Sequence, residues 1–152
     1  MTYDEILERL EGCRLPAWEE LPDFGLYMDQ LVIYVSKTFP GISGRLDLTP
    51  SMINNYVKAG LIDKPVGKKY SRDSLAQLLM VSLMKMSTPL DVMKKLLHPK
   101  DGAETREMYS SFIDTQRRIK DEIISRGNIP ALDYALESAF LQLALRLLTE
   151  DK

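Results

Sequence analysis

The chain has 152 residues, of which 45% are apolar, and a formal net charge of −2. This length fits one domain, or one small domain with a helical extension, and the apolar content is ample for a core. The sequence contains no apolar run near the roughly 20 residues that span a bilayer, and its acidic start, MTYDEILERL, differs from a basic secretory signal. We therefore expect a cytoplasmic protein without a membrane partner.

Residues 1–25 are predicted to form a short helix followed by an irregular link. Thr2 and Glu5 can make a capping box, and Gly12 stops the helix. Trp18 lies in the link, where we expect it to hold the link against the core. Residues 1–30 carry eight acidic and two basic side chains, so this end is not expected to lie along a phosphate backbone.

Residues 26–99 begin with two predicted helices. The first covers 26–37 and turns Leu31, Val32 and Val35 inward. The second covers 50–59, because Thr49 can cap the helix, Pro50 suits its first position and Gly60 supplies a left-handed stop. Helical spacing gives this second helix a buried face, formed by Met52, Ile53, Tyr56 and Val57. Its outward face consists of Ser51, Asn54, Asn55 and Lys58.

The outward face of helix 50–59 suits a nucleic-acid groove. An asparagine amide offers a donor and an acceptor together to an adenine edge, whereas serine and lysine side chains can hold phosphates. We predict that Asn54 and Asn55 contact bases and that Ser51 and Lys58 contact the backbone. The alternative interpretation is a solvated polar face, which is common on globular surfaces.

A compact basic turn follows over residues 63–72. It is too rich in proline and glycine for a helix and suits a small hairpin or wing. Residues 45–72 carry six basic and two acidic side chains, a net charge of +4 on an acidic chain. Such a local patch is what phosphate contact requires, and we predict backbone contacts from Lys68, Lys69 and Arg72. The alternative is a solubilising loop.

Two further helices are predicted within this region. Ser71 caps a helix over 72–86 that is apolar on nearly every side and is therefore expected to be central and buried. A capping box at 88–91 starts the next helix, which ends near His98 and Pro99. The inner stripe of that helix is predicted to be Val92, Met93, Leu96 and Leu97.

Residues 100–152 are predicted to form two long helices, 103–126 and 131–149. The short joint Gly127-Asn128-Ile129-Pro130 favours an antiparallel helical hairpin. The second helix has enough apolar side chains to pack against two neighbouring helices, which favours a homodimer through this hairpin. The alternative is that both apolar stripes pack on the core formed by residues 26–97.

Catalytic and metal-binding patterns are weak in this sequence. The single cysteine, Cys13, is expected to be a half-buried structural thiol, and the single histidine, His98, suits a structural role at a helix end. The sequence has no nucleophile elbow, HExxH motif or phosphate-binding glycine loop. We therefore expect no enzyme activity, no cofactor and no metal.

One pattern in residues 46–97 resembles a known family. It consists of Tyr56-x-x-x-Gly60-Leu61-Ile62, then Lys68-x-Tyr70-Ser71, a leucine-rich helix, and Leu90-Asp91-x-Met93-Lys94-x-Leu96-Leu97. This pattern resembles the amino-terminal domain of MerR-type transcriptional regulators. Residues 52–61 are also similar to the YkrK-like family, small uncharacterised bacterial proteins assigned a domain of unknown function.

The resemblance implies an all-α, mainly helical fold. It would comprise a MerR-like winged helix-turn-helix over 26–99 with a minimal β wing, the helix and link of 1–25, and the helical hairpin of 100–152. The sequence departs from MerR proteins, which usually carry arginine near Ser51 and Asn54 and an aromatic residue at Asn55. The connection over residues 38–48 is also longer than the turn of that family.

Two functions follow as hypotheses. In the first, the protein is a DNA-binding transcriptional regulator that reads double-stranded DNA. Its predicted DNA-binding residues are Ser51, Asn54, Asn55, Lys58, Lys68, Lys69, Tyr70 and Arg72. In the second, the same fold is a non-catalytic protein-interaction module that binds its partner through the carboxy-terminal hairpin. The sequence identifies no effector ligand, and the cysteine ligands of metal sensors are absent.

Overall fold

The computed structural model describes residues 1–40, 47–98 and 104–150. These residues form seven α-helices in the order α1 (Tyr3–Glu11), α2 (Met28–Thr38), α3 (Pro50–Lys58), α4 (Arg72–Met84), α5 (Leu90–Leu96), α6 (Thr105–Ser125) and α7 (Ala131–Thr149). A single 3₁₀ turn, Trp18–Glu20, lies between α1 and α2. The predicted mainly helical fold is confirmed. Arg45 and Pro99 lie outside the described residues.

Three helices begin directly after the capping residues that the sequence predicts for them. Thr2 and Glu5 form the predicted capping box at α1. The Thr49 hydroxyl accepts from the Met52 N–H at 3.2 Å, and the Ser71 hydroxyl accepts from the Ser74 N–H at 3.2 Å. Each cap satisfies an amide that would otherwise have no partner within its helix.

Helix α5 begins differently from its prediction. Its N-cap is Pro89, and no side chain caps it, so the predicted capping box at 88–91 does not form. Thr88, the residue expected to act as the cap, is buried instead. Of the predicted inner stripe, Val92, Met93 and Leu97 are buried, but Leu96 is 41% exposed because it lies on the outer side of this short helix.

Helix α4 is the centre of the core, as predicted. Every residue from Ser74 to Ser82 in it is buried. Helices α2 and α6 pack against α4, and α2 also contacts α3. Leu31 and Val35 of α2 are fully buried, and Val32 packs against the same cluster, in agreement with the predicted inner face of this helix.

The amino-terminal segment forms part of this core. Leu15, Trp18 and Leu21 are buried in it. The Tyr109 hydroxyl of α6 donates to the Pro16 carbonyl oxygen at 2.6 Å, and the Trp18 and Tyr109 rings meet edge to face at 6.2 Å. The core therefore joins residues from both ends of the domain. The predicted role of Trp18 in holding the link against the core is confirmed.

The two carboxy-terminal helices do not form the predicted antiparallel hairpin. Over the described residues, α6 packs against α1 and α4, whereas α6 and α7 make no extended contact with each other. An ion pair between Arg126 and Glu137 links them near the joint. The far end of α7 contacts α5, where the Lys95 ammonium donates to the Thr149 carbonyl oxygen at 2.6 Å. The apolar face of α6 is used by the core, so α7 has no groove on α6 to fill.

None of the helices in the described ranges combines the length and the apolar character that crossing a membrane requires.

Candidate nucleic-acid interface

Helix α3 has the two faces that its sequence predicts. Ile53 is fully buried and Tyr56 is 8% exposed, so one side of the helix is fixed to the core. Ser51, Asn54, Asn55 and Lys58 are exposed on the other side. The left-handed conformation of Gly60, with φ of +79°, ends helix α3 and turns the chain toward the next segment. The outward polar face is therefore held rigidly and is accessible.

The next segment, residues 64–69, forms a tight basic hairpin. The Val66 N–H donates to the Lys69 carbonyl oxygen at 2.9 Å, and the Lys69 N–H donates to the Val66 carbonyl oxygen at 3.1 Å. Gly67 and Lys68 between them have φ values of +57° and +65°. Positive φ at both central residues is typical of a type I′ turn, which suits a two-residue hairpin. Lys68 therefore stands at the exposed tip of the basic hairpin.

The base of the basic hairpin is fastened to the central helix. The Gln77 side-chain oxygen accepts from the Asp63 N–H at 2.7 Å, and the Ser74 hydroxyl donates to the Asp63 carbonyl oxygen at 3.0 Å. On the other side, Leu26 and Tyr70 pair through two backbone hydrogen bonds of 2.9 and 2.7 Å. The two contacts with Asp63 explain why the polar residues Ser74 and Gln77 are buried in α4. Together with the Leu26–Tyr70 pairing, these contacts fix the position of the basic hairpin.

The basic hairpin and the start of α3 border the same groove. This groove has a volume of about 490 Å³ and is lined by Tyr27, Met28, Asp29, Pro50, Pro65, Lys68 and Tyr70. Pro50 is the first residue of α3 and directly precedes Ser51. The exposed lysine at the hairpin tip and the polar face of α3 therefore lie on neighbouring parts of one surface.

An aromatic residue that sequence reasoning missed lies at this surface. Tyr27, the residue before α2, is 47% exposed, and the Lys69 ammonium lies 5.4 Å from the centre of its ring. This contact orients the Lys69 side chain without neutralising its charge. No local signal in the sequence indicates it, because the two residues are more than forty positions apart.

Two of the residues predicted to bind DNA are less exposed than the other six. Tyr70 is 4% exposed, and burial raises the pKa of its phenol. The Arg72 guanidinium lies 5.5 Å from the centre of the Trp18 ring and forms an ion pair with Asp23 at 3.3 Å. The Tyr70 backbone pairs with Leu26, and the Arg72 side chain joins the start of α4 to the amino-terminal segment. The other six predicted residues are therefore the more accessible ones.

The described residues offer no grouping of three or more histidine, cysteine, aspartate or glutamate side chains that could hold a metal ion. Burial raises the pKa of the Cys13 thiol, and its sulfur donates to the Arg9 carbonyl oxygen at 3.4 Å. The predicted half-burial of Cys13 is confirmed, and its structural role stays a prediction.

These features define a mainly helical protein with an exposed polar helix beside an anchored basic hairpin. The chain belongs to the family described as a domain of unknown function (DUF1836), whose model matches residues 16–112. The matched residues begin at the segment that Tyr109 holds and end within α6, so they include most of the core, α3 and the basic hairpin. Comparison with curated proteins and with solved structures gives no match.

We expect replacement of Lys68 by glycine to stabilise the protein. A left-handed conformation costs a non-glycine residue about 1–2 kcal/mol, and the greater freedom of glycine when unfolded offsets about half of the gain. The free energy of unfolding should therefore rise by about 0.5–1 kcal/mol. Urea unfolding of Lys68→Gly and of the charge-matched control Lys64→Gly would measure this. A loss of stability in Lys68→Gly would contradict the expectation.

Proposed function

We propose that this protein is a MerR-like transcriptional regulator that binds double-stranded DNA through α3 and the basic hairpin. The observation that carries the proposal is the shared groove bordered by Pro50 and Lys68, because it brings a polar helix face and an exposed cation to one surface. The resemblance of residues 46–97 to the amino-terminal domain of MerR-type regulators supports it. Since a protein that reads chromosomal DNA acts in the bacterial cytoplasm, we propose that location for this protein.

The dimensions of α3 suit the major groove. An α-helix with its side chains is about 10–12 Å in diameter and fits a groove about 12 Å wide. The nine residues of α3 extend about 13 Å along its axis. In this arrangement Asn54 and Asn55 face base edges. Ser51 and Lys58 hold the backbone at the helix, and Lys68 and Lys69 hold it at the basic hairpin. The basic hairpin acts as the wing.

The charge of this surface sets the expected strength of binding. Exposed lysines at 58, 64, 68 and 69 stand beside exposed aspartates at 29, 47 and 63. With about three lysines on phosphates, the logarithm of the association constant should fall with the logarithm of salt concentration with a slope near −3. One copy of the chain is therefore expected to bind weakly and to need a second half-site for useful affinity.

Fluorescence anisotropy with mixed genomic duplexes over a salt series tests the proposal. The Lys68→Glu, Lys69→Glu variant should bind at least about tenfold more weakly, with a salt slope about two units shallower. The Arg117→Glu, Arg118→Glu control makes the same change in charge on exposed residues of α6 and should keep wild-type binding. Absence of binding at low salt, or an equal loss in the control, would contradict the proposal.

The same measurement separates base reading from phosphate binding. The Asn54→Ala, Asn55→Ala variant should keep the salt slope, because neither residue is charged. It should lose discrimination between the duplexes selected by the wild type from a random pool and unselected ones.

A second candidate function is a non-catalytic protein-interaction module. It is favoured by α7, which has no buried residue and exposes several large apolar side chains. Under this function the Lys68→Glu, Lys69→Glu variant keeps its partner, and charges introduced on α7 abolish binding to that partner.

A further inference from the structure

Among the described residues, helix α7 meets the rest of the molecule through the side that faces α5 and through the ion pair of Glu137 with Arg126. Gln142, Leu145, Arg146 and Thr149 face Pro89, Asp91, Val92 and Lys95 across a groove of about 510 Å³ next to α5. The partly buried α7 residues among them are Gln142, Leu145 and Thr149. The helix lies beyond residue 112, outside the part of the chain that matches the family.

A continuous apolar stripe runs along the side of α7 that points away from α5. Its members, spaced at four, four, three and four residues, are Leu132, Leu136, Phe140, Leu143 and Leu147. They are 66%, 53%, 72%, 53% and 58% exposed. An isolated helix of this length is marginal in water and depends on packing of its apolar face. Such an exposed face on a monomer indicates an interaction surface.

The apolar stripe is symmetric about a point between Ala139 and Phe140. Leu136 lies three residues before Ala139 and Leu143 three after Phe140. Leu132 lies seven residues before Ala139 and Leu147 seven after Phe140. A twofold axis between two antiparallel copies of α7 would place Leu132 against Leu147, Leu136 against Leu143, and the large Phe140 against the small Ala139. A parallel pairing would instead set Phe140 against Phe140 and Asp133 beside Asp133.

From this symmetry we infer that the apolar stripe binds the same stripe of a second copy of this chain, in an antiparallel pair with its twofold axis at Ala139 and Phe140. An isologous interface requires a surface complementary to itself, and the repeated leucine spacing provides it. At about 200 Å² for a large side chain, the five members expose on the order of 600 Å² per copy. Complete burial of the stripe in two copies would remove about 1,200 Å², which is the lower end of the range for specific interfaces.

Sedimentation equilibrium of the full chain tests this inference, and its result does not depend on DNA binding. The wild type should be a dimer at high micromolar concentration. Phe140→Glu places a charge next to the twofold axis twice in each dimer and should raise the dissociation constant about 100-fold or more. The variant should remain folded, because Phe140 is not buried within one copy, and its far-UV circular dichroism should lose at most the helical signal of α7.

Leu141→Glu is the matched control. Leu141 is the neighbouring residue on α7 and is 60% exposed, but it lies outside the apolar stripe. This variant should keep the dissociation constant of the wild type. A wild type that is monomeric at every concentration would overturn the inference, even if it sedimented with phosphatidylglycerol vesicles. An equal effect of the two variants on the dissociation constant would overturn it as well.

Cysteine cross-linking tests the antiparallel register. In a Cys13→Ser background, Ala139→Cys should form a covalent dimer when oxidised with diamide, because the two thiols lie next to the axis. Leu132→Cys should not cross-link to itself, since its two copies lie about 22 Å apart along the helix, but it should cross-link to Leu147→Cys in a mixed sample. Self-cross-linking of Leu132→Cys would overturn the antiparallel pairing.

Discussion

Replacing Leu79 with alanine is expected to lower the free energy of unfolding by about 2–5 kcal/mol. Leu79 is fully buried in the middle of α4, the helix on which α2 and α6 pack. Removing its side chain forfeits burial and leaves a cavity that the neighbouring helices cannot fill by small movements. Small domains are stable by only about 5–15 kcal/mol. A large fraction of the Leu79→Ala molecules should therefore be unfolded at a moderate urea concentration.

Urea denaturation followed by circular dichroism measures this effect. Leu96→Ala is the informative control, because the sequence pattern predicts a buried leucine there and the structure exposes it by 41%. Its loss should stay below about 1 kcal/mol. Similar losses in the two variants would contradict the central position of α4.

Replacing Tyr109 with alanine should cost about 3–5 kcal/mol and release the amino-terminal segment. Tyr109 is fully buried, contacts the Trp18 ring and donates to the Pro16 carbonyl oxygen. Tyr109→Phe keeps the ring and removes only this hydrogen bond, so it should cost about 1–3 kcal/mol. Trp18 is the single tryptophan of the chain and lies in this segment. Release of the segment should therefore shift the fluorescence emission of Trp18 to the red before the helices unfold.

The Tyr109 phenol also makes stability depend on alkaline pH. Burial, and to a lesser extent the nearby Tyr34 and Glu20, raise the pKa of Tyr109 above its ordinary value. The stability that this phenol contributes is present below about pH 10, where the unfolded tyrosine is also protonated, and is lost as the pH rises further. In Tyr109→Phe the fall in stability above about pH 10 should be shallower. An equal slope in the two proteins would contradict this account.

Much of α3 and the basic hairpin follows from nearby residues. Thr49, Pro50 and Gly60 define the ends of the helix, and the helical period separates Ile53 and Tyr56 from Asn54 and Asn55. The structure confirms the helix and its two faces. Whether those exposed residues contact DNA stays a prediction, since neither the fold nor the family determines it.

The sequence by itself determined the helical class, the caps of α1, α3 and α4 and the central position of α4, because each depends on side chains within a few residues of one another. Only the tertiary structure decided the roles of Tyr70 and Arg72, whose partners Leu26, Asp23 and Trp18 are more than forty residues away. It also decided the exposure of α7. An apolar stripe predicts that a helix will pack, but the helix it packs against depends on which faces the rest of the fold has already covered. Here α6 gives its apolar face to α1 and α4, and the apolar stripe of α7 is left at the surface.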